Sequence, residues 1–213
     1  MTEAIRAEKL VKTFGKITAL AGVSLEVAWG ETLGILGDNG AGKSTLIKIL
    51  TGYHQPDSGQ VFVDGKPVEL TSVDEARAFG IECVYQDLAL VNGLSIYHNM
   101  FLNRELLRRG PFRLLDHREM RRRKARILLL DEPLAAMGAR EARLIIGLIE
   151  RLRARGDIAI VMIAHNYAQT LEICDRVVLM QHGEITFESA AAATSAEELL
   201  EIVRREYRAV RTG

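Results

Sequence analysis

The chain has 213 residues, 48% of them apolar and 26% charged, and its 28 Lys and Arg balance 28 Asp and Glu. That length suits one domain or a core with a small subdomain. Zero net charge excludes an overall electrostatic pull toward nucleic acid, and no apolar run approaches the ~18 residues needed to span a bilayer. Met1 to Ala7 has no apolar leader segment. The run Arg121-Arg122-Arg123-Lys124 reads as a solvated helix face. Cys83 and Cys174, far apart in apolar segments, read as reduced core thiols of a cytosolic protein.

Strands and helices alternate along the chain. Ala7–Phe14 and Val23–Val27 have strand-like alternation, with a turn at Ala28-Trp29-Gly30. Thr32–Leu36 is a short apolar strand that ends at a glycine-rich loop, and Lys43–Leu50 reads as a helix. Gln60–Val63 and Pro67–Leu70 flank a hairpin turn at Asp64-Gly65. Ser72–Phe79 is predicted helical, with Ser72 and Glu75 as a capping box and Gly80 as its stop. Ile81–Tyr85 and Ile127–Leu130 are predicted strands. The helix expected over Ala139–Arg155 puts Leu144, Ile145, Leu148, Ile149 and Leu152 on one stripe. Ala159–Ile163 is a buried strand, Val177–Met180 and Glu184–Phe187 flank a second hairpin at His182-Gly183, and Ser195–Arg208 is a C-terminal helix. The fold class implied is α/β: a mostly parallel sheet covered on both faces, with a small antiparallel sheet beside it on the N-terminal side.

Gly37-Asp38-Asn39-Gly40-Ala41-Gly42-Lys43-Ser44 fits the phosphate-loop pattern without a mismatch and stands between a strand and a helix. Glycines let successive N–H groups converge on phosphate oxygens. The helix N-terminus adds partial positive charge. Lys43 can reach the β- and γ-phosphates, and the Ser44 hydroxyl can ligate Mg²⁺. A second signal is Ile127–Leu130, an apolar strand running into Asp131 and Glu132. Here the first carboxylate holds Mg²⁺ and its neighbour can activate the attacking water. The residues therefore imply a nucleoside triphosphate and Mg²⁺.

Taken together these segments resemble an ABC transporter ATPase, and the resemblance makes that nucleotide ATP. GDNGAGKST at Gly37–Thr45, LIKILTG running into PDSG at Pro56–Gly59, and ILLLDEP at Ile127–Pro133 follow the family's order. The resemblance makes Gln86 the Q-loop residue, a Mg²⁺ ligand together with Ser44 and Asp131, and His165 in MIAHN the H-loop residue. It makes Ala135–Gly138 the D-loop and Phe14 the aromatic that stacks on adenine. Gly80–Leu102 and the AHN triplet narrow the resemblance to importers of simple sugars of the fructose and ribose type. His54, His98, His117, His182 and Trp29 keep ordinary structural readings.

The resemblance implies a P-loop core with a truncated helical subdomain. Residues 1–91 and 124–190 would form the nucleotide-binding core, 92–123 the remnant of the helical subdomain, and 191–213 the C-terminal helix. The family's Leu-Ser-Gly-Gly-Gln signature is missing, and no Ser-Gly-Gly occurs anywhere in the chain. Only 88 positions separate Lys43 from Asp131, several tens fewer than the family uses. Asp116 and Glu119 open a helix that runs toward the Ile127 strand with no breaker between, so a segment is expected to be absent within about Met120–Arg126. An intact mass of 23.7 kDa would show a true deletion.

The first functional expectation is the ATP-hydrolysing subunit of a monosaccharide importer. It would be peripheral on the cytoplasmic face of the membrane, with permease subunits, a sugar-binding protein and a second ATPase domain, homo- or heterodimeric. The alternative is an ATP-binding module without hydrolysis, regulatory or remnant, because the signature is absent. A non-transport ABC ATPase fits less well, since the chain has neither paired domains nor coiled-coil insertions.

Overall fold

The computed structural model describes residues 3–84, 125–135 and 138–211. Gln86, the Arg121–Lys124 run, the 92–123 remnant, the Asp116 helix start and most of the Met120–Arg126 junction lie outside them, as do Ala136 and Met137 of the D-loop.

Two sheets share one core. The first is antiparallel, in the order β2-β1-β4-β5, built from β1 (Glu3–Phe14), β2 (Ile17–Ala28), β4 (Ser58–Val63) and β5 (Lys66–Val68). The second holds β3 (Thr32–Leu36), β6 (Ile81–Val84), β7 (Ile127–Asp131), β8 (Ala159–Ile163), β9 (Arg176–Gln181) and β10 (Glu184–Ala190). Its order is β10-β9-β3-β8-β7-β6, parallel except for the β9–β10 hairpin at its edge. The expected α/β class and mostly parallel sheet are therefore present.

Side chains alternate across the parallel sheet. Leu33, Ile35, Leu129, Val161 and Val178 face the core shared with Leu10, Leu20, Val23 and Val61 of the antiparallel sheet. The antiparallel sheet thus packs onto one face of the parallel sheet instead of standing beside it. Leu36, Leu130, Ile160, Met162 and Leu179 face the opposite way, toward helices. Burial on both faces is why these strands read as unbroken apolar runs.

The helices are α1 (Lys43–Leu50), α2 (Val73–Ala78), α3 (Ala139–Ala154), α4 (Tyr167–Ile173) and α5 (Ala196–Arg211). α1 buries Leu46, Ile47, Ile49 and Leu50 in the shared core. One expectation needs correction and one element was missed. In α2 the expected capping box is present: Ser72 Oγ accepts from Glu75 N, and the Glu75 carboxylate accepts from the Ser72 N–H as well as from Thr71 N and Oγ1. In α3, Leu144 is 68% exposed while Ile149 is buried, so the apolar stripe is narrower than its sequence spacing implies. α4 was not foreseen at all. Its signal was Asn166, whose side chain accepts from Gln169 N at 3.0 Å and starts the helix.

The end of β1 is pinned by Asp57. Its carboxylate accepts from Lys12 Nζ at 2.9 Å, from Thr13 N at 2.7 Å and from Thr13 Oγ1 at 2.7 Å. The Lys12 bond, then the Thr13 hydroxyl and N–H, hold the Asp57 pKa down at about 2. A depressed carboxylate contributes above its ordinary value of 3.8 and loses that contribution as pH falls through about 2. Asp57→Ala is therefore expected to speed amide hydrogen exchange at Thr13 and Phe14 near neutral pH. The parent protein should approach the variant only as pH nears 2.

Candidate nucleotide site

β3, β8 and β7 are neighbours in the parallel sheet, and the glycine-rich loop, His165 and the Asp131–Glu132 pair lie at the carboxyl ends of these three strands. β3 ends at Leu36 and releases Gly37–Gly42 into the N-terminus of α1. Gly37, Gly40 and Gly42 have φ of 140°, 83° and 102°, the left-handed region where a side chain is strained. That curvature is what turns loop amides toward one centre. α1 starts on Gly42 with no side-chain cap and no acidic residue in its first turn, leaving its first N–H groups for an anion.

Lys43 is 5% exposed, and its ammonium donates to Gly37 O at 2.7 Å and Asp38 O at 2.8 Å, spanning the loop that it follows. Burial pushes the Lys43 pKa down, while Glu132, Asp38 and Asp131 oppose that shift. A buried ammonium beside loop amides fits the phosphate chain of a nucleotide. Ser44 is exposed at the start of α1. Thr45 is half-buried beside it.

β7 delivers Asp131 and Glu132. Asp131 is half-buried, and its pKa is raised, first by desolvation and then by the charge of Glu132. Lys43, Lys48 and His165 only partly offset this. A half-buried Asp131 whose burial penalty is only partly offset, with a second carboxylate adjoining it, fits a divalent cation. Among the described residues no group of three His, Cys, Asp or Glu side chains could hold a metal ion. A raised carboxyl pKa contributes to stability below the ordinary carboxylate range, and that contribution disappears as pH rises through the raised value. Asp131→Asn is accordingly expected to raise the Tm of the nucleotide-free protein at pH 7 by about 2–4 °C, the scale of a small charge relief. It should also flatten the acid side of the Tm–pH curve.

β8 ends at Ile163, and His165 lies just ahead of the Asn166 cap of α4. His165 Nε2 is 2.6 Å from Glu132 Oε1. Glu132 has φ 53°, unusual for a side-chain-bearing residue, and its N–H donates to Ile163 O at 3.1 Å. The strained turn aims Glu132 at the neighbouring strand's exit. A cleft of about 200 Å³ opens there, lined by Glu132, Leu134, Ala135, His165, Asn166 and Gln169. Phe14 is 43% exposed at the tip of β1. It meets His54 edge-on at 5.3 Å, with Lys12 Nζ 5.6 Å from its ring centre. The structural reading of His54 missed this contact, which no local pattern announces. The remaining expected ligand, Gln86, lies outside the described residues.

Loop, buried lysine and paired carboxylates at the carboxyl ends of a parallel sheet define a P-loop nucleotide-binding protein. The ABC transporter family profile matches residues 20–125. The chain is 37% identical to the xylose/arabinose import ATP-binding protein of Sulfolobus acidocaldarius, covering 95% of this chain and 94% of that one. It is 35% identical to the fructose import ATP-binding protein of Rhizobium meliloti, covering 84% and 85%. With the ribose import ATP-binding protein of Rubrobacter xylanophilus it shares 34% identity, but spans only 46% of that protein. Among solved structures, an ABC transporter ATP-binding cassette in its ADP conformation superposes with a TM-score of 0.73 at 23% identity, covering 96% of each chain. A dimeric cassette bound to ADP and Pi gives a TM-score of 0.69 at 21% identity, covering 88% of this chain and 98% of that one. The chain belongs to the ATP-binding subunits of ABC transporters.

Proposed function

We infer that this chain binds and hydrolyses ATP to energise the import of a simple sugar by an ABC transporter. The observation that carries this reading is the near end-to-end similarity to the xylose/arabinose import ATP-binding protein. The site geometry supports it independently. Lys43, now bonded to two loop carbonyls, would exchange them for the β- and γ-phosphate oxygens. Gly37–Thr45 would cradle the phosphates, and Phe14 would offer its exposed ring to adenine. Ser44, Asp131 and Gln86 would hold Mg²⁺, which when bound neutralises phosphate charge. Glu132 would polarise the attacking water, and His165, whose Nε2 lies 2.6 Å from Glu132 Oε1, would hold that carboxylate in register with the γ-phosphate.

We read the chain as one ATPase domain with core 1–91 and 124–190, remnant 92–123 and C-terminal segment 191–213. The alignment with the xylose/arabinose relative runs over 238 positions, so at least 25 have no residue in this 213-residue chain. That supports an internal deletion beside the missing signature. In the family, the signature of one domain faces the γ-phosphate held by the other. A second ATPase domain that carries the signature would complete this chain's own phosphate site, whereas a homodimer would leave it open. Among the described residues no helix is long and apolar enough to cross a membrane, which suits a peripheral subunit held by permease chains on the cytoplasmic face. A sugar-binding protein on another chain would choose the substrate.

The test is uptake. Deleting the coding sequence in the source organism is expected to abolish uptake of one monosaccharide from a labelled panel. The parent sequence should restore it and Lys43→Ala should not. Uptake of every sugar tested at parental rates would overturn the import reading.

A further inference from the structure

The β9–β10 turn, His182-Gly183, stands directly behind the phosphate loop. Gly183 N donates to Ala41 O at 3.1 Å, and Gly183 O accepts from Ala21 N of β2 at 2.9 Å. One residue therefore ties the loop to the antiparallel sheet. The described residues contain no cis peptide, and in a trans peptide C=O and N–H point in opposite directions. Drawing the Ala41 carbonyl toward Gly183 thus turns the Gly42 N–H the other way, away from the hairpin. Gly42 is the N-cap of α1, so its N–H joins the first-turn donors of the helix.

The contact is possible only without a side chain. At φ 81°, an added Cβ on Gly183 would lie 2.8 Å from Ala19 O and 3.2 Å from Leu20 Cα, both backbone atoms that cannot rotate away. The loop side is equally bare. A Cβ on Gly42 would run into Ala19 O, and one on Gly37 into Met180 O. β2, the loop and the β9–β10 turn meet backbone to backbone. Hairpin geometry alone does not demand this. The Asp64-Gly65 turn has φ of 52° and 71°, close to the 49° and 81° of His182-Gly183. Yet a Cβ on Gly65 would meet nothing within 4 Å.

We propose that Gly183 is a positioning residue for the nucleotide's phosphates: its N–H holds the Ala41 carbonyl and so sets the direction of the Gly42 N–H. This rests on the reading of Gly37–Thr45 as the nucleotide site. The decisive variant replaces the Gly183 amide by an ester (Gly183→glycolate) in the full chain, which deletes the N–H without adding bulk. Gly65→glycolate is the control. Binding of Mg²⁺–ATP and of AMP is measured by calorimetry, with Tm alongside.

The expected result is an ATP Kd raised about tenfold at position 183, the scale of one hydrogen bond and its dependent phosphate contact. AMP affinity should change much less, and Tm should match the Gly65 control. Gly183→Ala should move ATP affinity in the same direction with an added loss of Tm. An ATP Kd within twofold of the parent for Gly183→glycolate would overturn the proposal, as would equal losses for ATP and AMP, which mark general loosening. Lys43→Ala, run in parallel, separates the two readings. If it weakens ATP binding and Gly183→glycolate does not, only the positioning role fails. If Lys43→Ala leaves ATP binding unchanged, the nucleotide site itself is misassigned and the proposal falls with it.

Discussion

Lys43→Ala is expected to weaken ATP binding by about 10- to 100-fold, the equivalent of roughly 1.5–3 kcal/mol for a charge-assisted hydrogen bond to phosphate. The ammonium is buried and already engaged by Gly37 O and Asp38 O, so it is pre-placed over the loop before nucleotide arrives. Its removal also withdraws a positive charge that offsets the raised pKa of Asp131. The Asp131 pKa should therefore climb further in the variant. Titration calorimetry checks the loss of ATP affinity. Unchanged ATP affinity would remove the phosphate-loop assignment.

Glu132→Gln is expected to reduce ATP hydrolysis by about 10²- to 10⁴-fold while ATP affinity stays close to the parent's. The carboxylate is the part that can accept a proton from water, and the amide keeps its shape. The left-handed turn at Glu132 and the bond from its N–H to Ile163 O are backbone features that the substitution leaves in place. Single-turnover hydrolysis measured beside equilibrium binding checks the split. The measurement belongs in the proposed transporter complex, in which a second ATPase chain would supply the signature segment. Loss of nucleotide binding in Glu132→Gln would instead assign Glu132 to the cation. Parental turnover would deny it any part in water activation.

Much of the site was legible before folding because its chemistry is local. The phosphate loop is eight consecutive residues between a strand and a helix, so glycine spacing, lysine and hydroxyl are read in one window. β3 and β8 were placed residue for residue, since strands buried on both faces leave uninterrupted apolar runs with sharp ends. α4 escaped because it is only 7 residues long and its start rests on Asn166, read only as part of the AHN motif. Leu144 was misplaced because a spacing argument assumes that a whole face is covered, and packing leaves that residue outside.

The sequence by itself determined a stretch suited to holding phosphate: glycines, helix start and lysine lie within one short window, and no distant contact is needed to predict them. Only the tertiary structure decided what stands around that stretch. Glu132 and His165 are 33 positions apart and meet because β7 and β8 are neighbours in register, with Asp131 paired to Ile163. Gly183 reaches Ala41 because β9 lies beside β3, which carries the second hairpin up against the loop. Those pairings come from which strand lies next to which. That choice is made by burying two faces of one sheet at once, a global condition that no local window contains.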